Sequence, residues 1–447
     1  MVFGLGKLFG GKDEKDAPPP APTPAAAPAA PEERPATAFI RRDAVFDRDR
    51  RLIGHLFRLQ HRDAGFGDAP TVRQRSLDDA LLKSLCTSAR DEGWGKNLAF
   101  VPLCSASLEN PWLDRLPPQN TVLLLVLAPE TADPAALTKR LNDLKAKGMR
   151  LGFFRQPKHP AYSAAIAAAD FAAIDVAASQ GGNVRDFSVA IRSSEVKHPI
   201  QLVAVNIESK DDCNLCRLWH FDYFHGPFLA SGEADEGPRG DPHKLHLLHL
   251  FNLVQGEADN AEVAALLKQD PMLTYRILRY LNSAALGLSR PASSIDQALI
   301  MLGRQRLARW LSVLLFSVKD PDFADWLLVE TSLGRGRIME LLGSKRFPAA
   351  ESDHLFITGV FSRLDRLLRQ PLAEAIKQIS LPAHVRSALL ERTGPYAPLL
   401  AVAEACEGFD PPRMEAAAVA AGLEPDAVNQ ALLEATIWTS EITEHWE

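Results

Sequence analysis

Between residues 38 and 235 the apolar positions fall into short strand-length runs separated by segments of helical period. Ala38–Phe46, Leu98–Leu103, Val122–Leu127, Arg150–Phe154, Phe171–Val176 and Ile200–Val205 have the length and character of strands. Leu77–Ser88 and Leu137–Lys147 carry helical spacing, and Gly148 closes the second. This alternation with short connections predicts a parallel α/β sheet or barrel. A segment of roughly 200 residues is close to one (β/α)8 barrel in size.

From residue 241 to 447 the pattern is helical throughout. Its most regular stretch is Leu266–Leu302. Asp270 is a good N-cap, and Pro271 stands at the first helical position, where its missing N–H costs nothing. Leu273, Ile277, Leu278 and Leu281 make one apolar face, and Asn282 and Ser283 weaken the helix at its end. Gly287 supplies freedom in the connection. Ser294 with Gln297 three residues later is a second helix start, followed by the stripe Ala298, Leu299, Leu302 and the stop Gly303. Compact helices with short loops follow from this pattern.

Composition changes this picture little. The 447 residues are 46% hydrophobic and 24% charged, as in an ordinary globular protein. A net charge of -6 gives no general attraction to nucleic acid or anionic membrane. Five cysteines form no disulfide framework, which points to a reducing cytoplasm. No run of 18 apolar residues is present to span a membrane. Residues 1–37 read as a tail rich in Ala and Pro that should be extended and disordered. Its first 12 residues, MVFGLGKLFGGK, read as a floppy tail because four glycines weaken any helix there, with docking of this short apolar tag on a membrane or partner as the alternative.

The residues Asp270-Pro271, Leu281-Asn282-Ser283, Ile295, Gln297-Ala298 and Leu302-Gly303 resemble the HDOD domain, a helical relative of the HD phosphohydrolases. The likeness continues through Gly359-Val360-Phe361 and Ala388-Leu389-Leu390 to Leu399-Leu400. It implies a regulatory module for 241–447. The signature residues Asp270, Pro271, Asn282, Ser283, Gln297 and Gly303 would then serve structure or partner contacts. The helix that would carry a metal-binding His-Asp pair reads Thr358 to Leu364, with Ser362-Arg363 in its place.

Residues 38–235 resemble a degenerate EAL domain, the fold of cyclic di-GMP phosphodiesterases. The carriers are Arg41–Gly54 as an opening hairpin, Ala169–Asp175, and Phe221–Phe228 as the final strand. The resemblance implies an EAL-like (β/α)8 barrel followed by an all-helical HDOD domain. It also shows what is missing. The family holds two divalent metals in a cage of carboxylates, which hard cations require. Here Leu56 aligns with the signature glutamate, Pro102 with the asparagine, Phe154 and Arg155 with paired aspartates, and Ala173 with the lysine. Val122–Ala128 contains no acid, and His225 stands for a glutamine. Asp175 and Glu208 remain, and read as buried structural acceptors.

Three other constellations are weaker. Cys213-x-x-Cys216 with His220 and His225 has zinc-like spacing but straddles a helix and a strand, so packed thiols account for it better. His243, His246 and His249 suggest a polar junction helix before a metal site. Arg304, Arg306 and Arg309 read as a solvated helix face or partner surface before an anion site. The sequence therefore suggests a non-catalytic cytoplasmic signal-transduction protein with no catalytic, cofactor-binding or metal residues. It would act on an unidentified signalling protein, with a homodimer left open. The alternative is a receptor that binds cyclic di-GMP without hydrolysis.

Overall fold

Eight strands close into a barrel in chain order. The computed structural model describes residues 38–60, 71–89, 93–131, 134–193, 199–229, 242–256, 259–281, 294–317 and 323–444. The tail of residues 1–37, with its apolar tag, lies outside them. The strands are β1 (Ile40–Asp47), β2 (Leu52–Leu59), β3 (Leu98–Cys104), β4 (Thr121–Val126), β5 (Arg150–Phe154), β6 (Phe171–Asp175), β7 (Gln201–Val205) and β8 (Tyr223–Phe224). β2 to β8 run parallel, whereas β1 is antiparallel to both β2 and β8.

That reversal follows from the short turn after Asp47. Asp47 Oδ1 accepts from the N–H groups of Asp49 and Arg51, and Arg50 takes a positive φ of 65°. A two-strand hairpin therefore opens the barrel and departs from a regular (β/α)8 pattern. Helices α1 (Thr71–Ser88), α2 (Pro134–Ala146), α3 (Tyr162–Ala167), α4 (Gly181–Arg192) and α5 (Lys210–Leu218) pack outside. Between β3 and β4 the chain makes only 3-10 turns, at Ser105–Ser107 and Leu113–Arg115. Buried Asp78 of α1 ties down that connection, accepting from the Cys104 N–H at 2.9 Å and the Ser107 hydroxyl at 2.6 Å.

The helical half begins with α6 (Pro242–Gln255), α7 (Asn260–Lys268), α8 (Pro271–Leu281), α9 (Ile295–Leu302), α10 (Arg304–Leu315) and α11 (Phe323–Gly343). It continues with α12 (Ser352–Phe361), α13 (Leu364–Leu368), α14 (Leu372–Lys377), α15 (Ala383–Leu390), α16 (Ala397–Ala405), α17 (Pro411–Ala421) and α18 (Pro425–Glu444). The expected caps are present. Asp270 Oδ1 accepts from the Leu273 N–H at 2.9 Å, and Ser294 Oγ accepts from the Gln297 N–H at 3.3 Å. Gly303 has a φ of 75°, which suits glycine at that stop.

α11 and α12 cross closely because Gly336 meets Gly359. A Cβ on Gly359 would collide with the backbone of Gly336 and Arg335. This explains the glycine of the Gly359-Val360-Phe361 motif. α6 is an amphipathic core helix, with Leu247, Leu248, Leu250, Phe251 and Val254 buried. The expected polar junction helix is thus corrected, since its histidines lie beside a buried apolar stripe.

One hydrophobic core runs from the outer faces of β2 to β5 into the helical half. α18 also grips the free edge of β1. Asn429 Oδ1 accepts from the Ile40 N–H at 2.8 Å, and its Nδ2 donates to the Ala38 carbonyl at 2.9 Å. The described residues from 38 onward form one compact unit.

Candidate functional site

Parallel-strand barrels place their chemistry at the C-terminal ends of the strands. Alternation along each strand turns one set of side chains inward. Here that set includes Val45, Leu56, Phe100, Leu124, Phe154, Ala173 and Val205, all buried in one apolar cluster. Leu56 is fully buried, and Phe154 and Ala173 stand side by side in register. Leu56, Phe154 and Ala173, which the resemblance aligns with two carboxylates and a lysine, are buried hydrocarbon here.

Asp175 ends β6 half-buried and is occupied locally. It accepts from the Ala178 N–H at 3.0 Å and from Asn206 Nδ2 at 2.7 Å. Glu208 is exposed, which corrects its reading as a buried acceptor: it lies beyond β7, where the chain has left the barrel interior. Among the described residues, no group of three or more His, Cys, Asp and Glu is placed to hold a metal. The donor set at the mouth does not fit a pair of hard cations.

One side of the rim is charged. Asp43 of β1 pairs with Arg41 at 2.7 Å and Arg58 at 3.0 Å, and His225 Nε2 lies 3.7 Å away. Burial would raise the Asp43 pKa. The His225 contact and the two guanidiniums outweigh it and hold the carboxyl well below its usual range. Burial pushes the His225 pKa down, although Asp43 opposes it. The Asn206 N–H donates to His225 Nδ1 at 3.3 Å, so the neutral ring presents Nε2–H toward Asp43.

A second charged group lies outside the barrel wall, between the two halves. Arg42 of β1 and His55 of β2 both meet Glu330 of α11, with His55 Nε2 2.5 Å from Glu330 Oε1. Burial alone would raise the Glu330 pKa, but Arg42 and then His55 bring it down to about 2. Gly334, one turn along α11, leaves room for Arg42, since a Cβ there would sit 2.9 Å from its Nη2.

The third group replaces the His-Asp pair at the end of α12. Arg335 Nη1 donates to Ser362 Oγ at 2.8 Å and pairs with Glu404 at 3.2 Å, and its guanidinium also pairs with Glu407. Arg363 donates to Glu407 at 2.9 Å. These are ion pairs between side chains, with no histidine among them.

Of the HDOD signature, Asp270 and Gln297 act in helix starts, Pro271 begins α8 and Gly303 separates α9 from α10. Asn282 and Ser283 lie outside the described residues. Cys213 and Cys216 are packed thiols, raised by burial to about 11 and about 12. His225 points to Asp43 and His220 is exposed, so the zinc-like spacing does not converge.

The arginine trio is corrected in two of its members. Arg304 donates to the carbonyls of Leu253, Val254 and Gly256 at the end of α6, and Arg309 pairs with Glu340 and Asp353 over the Phe356 ring. Only Arg306 fits the solvated face. The interface group Arg42–His55–Glu330 escaped sequence reasoning. Its one local signal was an acid, Glu330, directly after the apolar run Trp326–Val329.

The HDOD domain model matches residues 247–386. The cyclic di-GMP phosphodiesterase CdgJ of Vibrio cholerae is 27% identical over 91% of this chain and 93% of its own length. The uncharacterized protein YuxH of Bacillus subtilis is 27% identical over 46% of this chain and 51% of its own. Among solved structures, the PaMucR phosphodiesterase in complex with c-di-GMP covers 43% of this chain and 90% of that one, at 15% identity and a TM-score of 0.35. The chain thus carries an HDOD domain in its helical half, preceded by a closed eight-stranded barrel.

Proposed function

We propose that this chain is a non-catalytic regulator in cyclic di-GMP signalling, acting through contacts of its barrel and its HDOD helices. One observation carries the reading: the barrel mouth presents Leu56, Phe154 and Ala173 where a two-metal phosphodiesterase needs carboxylates and a lysine. Arg155 adds a positive charge at the same strand end. CdgJ bears the name of a phosphodiesterase, and this reading separates the chain from that activity on its own residues.

Surfaces remain for partners. α8 and α9 expose Met272, Tyr275 and Ile300, large apolar side chains of the kind enriched at interfaces. A Mn2+ titration followed by electron paramagnetic resonance tests the reading. It predicts that the free-ion signal grows from the first addition. One or two tightly bound ions per chain, lost in Asp175→Asn, would refute it.

A further inference from the structure

β1 changes neighbours along its length. Its last residues, Phe46 and Asp47, pair with β8, and Phe46 also pairs with β2 on its other side. Between Phe46 and Val45 the register with β2 shifts, an irregularity of the kind at which strands bend. From Val45 back to Ile40 the pairing with β2 continues, whereas the pairing with β8 is confined to Phe46 and Asp47.

Toward the mouth the helical half stands where β8 would be. The Phe39 carbonyl accepts from the Gln60 N–H on the β2 side. The opposite edge, the Ile40 N–H and the Ala38 carbonyl, is held by the Asn429 side chain of α18. Arg42 reaches Glu330 of α11, and the Arg41 guanidinium lies 5.5 Å from the centre of the Phe409 ring. Arg41 and Asp43, on either side of Arg42, belong to the charged rim of the mouth with Arg58 and His225. Alternation along the strand thus turns 41 and 43 to the rim and 42 to the helices.

We infer that Ile40–Val45 is a strap that couples the helical half to the barrel mouth. Its hinge is the register shift at Val45/Phe46, and its far end stays fixed in the barrel. A strand edge pinned by a few side chains opens more readily than one held between two ladders. Helix movement that withdraws Asn429 or Glu330 frees this edge, and the strap then carries Asp43 away from the rim. The coupling is reciprocal, so a change at the rim loosens the strap from the helices. The inference stands whether or not the mouth is catalytic.

Hydrogen–deuterium exchange of the full chain, resolved by peptide, tests the inference. Asn429→Ala should speed exchange of residues 40–45 by roughly fivefold or more, as loss of one or two hydrogen bonds does. Residues 205–208 should follow, because the Asn206 N–H donates to His225 at the same rim. β4 and β5, remote from the strap, should exchange as in the wild type. Asp43→Asn removes no contact of Asn429, yet it should speed exchange of residues 39–42 by a similar factor. Should Asn429→Ala fail to fold, Asn429→Asp gives the same test, since it keeps an acceptor for the Ile40 N–H and loses the donor to Ala38. Acceleration confined to residues 39–41 in the Asn429 variant, or spread equally over β4 and β5, overturns the inference. So does wild-type exchange of residues 39–42 in Asp43→Asn.

Discussion

Removing the Glu330 carboxylate should show how strongly the barrel is tied to the helices. Glu330 is 5% exposed, and the Arg42 side chain beside it is only 9% exposed. Glu330→Gln keeps the shape and leaves the Arg42 charge buried without its counter-charge. Breaking a buried pair in this way costs about 3–5 kcal/mol.

The carboxyl's own titration gives a second measure. Its pKa falls from 4.5 to about 2, because Arg42 and His55 outweigh the effect of burial. At about 1.36 kcal/mol for each pH unit, that corresponds to roughly 3 kcal/mol. A lowered carboxylate pKa stabilises the fold fully above the unfolded value. The contribution therefore diminishes below 4.5 and is lost as pH falls through about 2.

Urea unfolding of wild type and Glu330→Gln should differ by roughly 3 kcal/mol at pH 7 and roughly 2 kcal/mol at pH 3.5. The double variant Arg42→Met/Glu330→Met should recover most of the loss, because an apolar pair leaves no charge stranded. A difference under about 1 kcal/mol at pH 7, or one that does not shrink toward acid, would refute the reasoning.

Other consequences can be measured directly. Gly359→Ala should lower stability by about 2 kcal/mol or more in thermal denaturation, because its Cβ meets backbone that cannot move aside; unchanged melting would contradict the close α11–α12 crossing. Asn429→Ala should cost about 1–3 kcal/mol by leaving the Ile40 N–H and the Ala38 carbonyl without their partner, and a neutral result would show that α18 does not hold the β1 edge. Cys213, Cys216 and Cys406 should resist Ellman's reagent until the protein is unfolded, since burial both hides them and raises their pKa values. Rapid labelling of three or more thiols in the native protein would count against that packing.

The parallel strands were legible because strands covered on both faces read as unbroken apolar runs, as in Leu98–Leu103 and Val122–Leu127. Helix starts were legible because capping is local: Asp270 and Ser294 each reach a backbone N–H three residues away. Two barrel helices were not read from the sequence: α3 is only Tyr162–Ala167, too short to establish a period, and α4 opens on Gly181-Gly182, poor helix formers.

The charged groups between the halves were not visible. Arg42 and Glu330 are separated by 288 positions, and within its own window each resembles a solvated charge. The same holds for Arg304, which looked like a surface cation and instead closes the end of α6. Long-range pairing of this kind is set by packing, and no local pattern encodes it.

The most direct test of the central claim is a single-turnover assay. Purified chain in excess over labelled cyclic di-GMP is incubated with Mn2+ or Mg2+, and the nucleotides are separated by chromatography. The account predicts that the cyclic dinucleotide is recovered intact. Formation of linear dinucleotide that depends on the metal and disappears in Asp175→Asn would contradict it and make the barrel an enzyme.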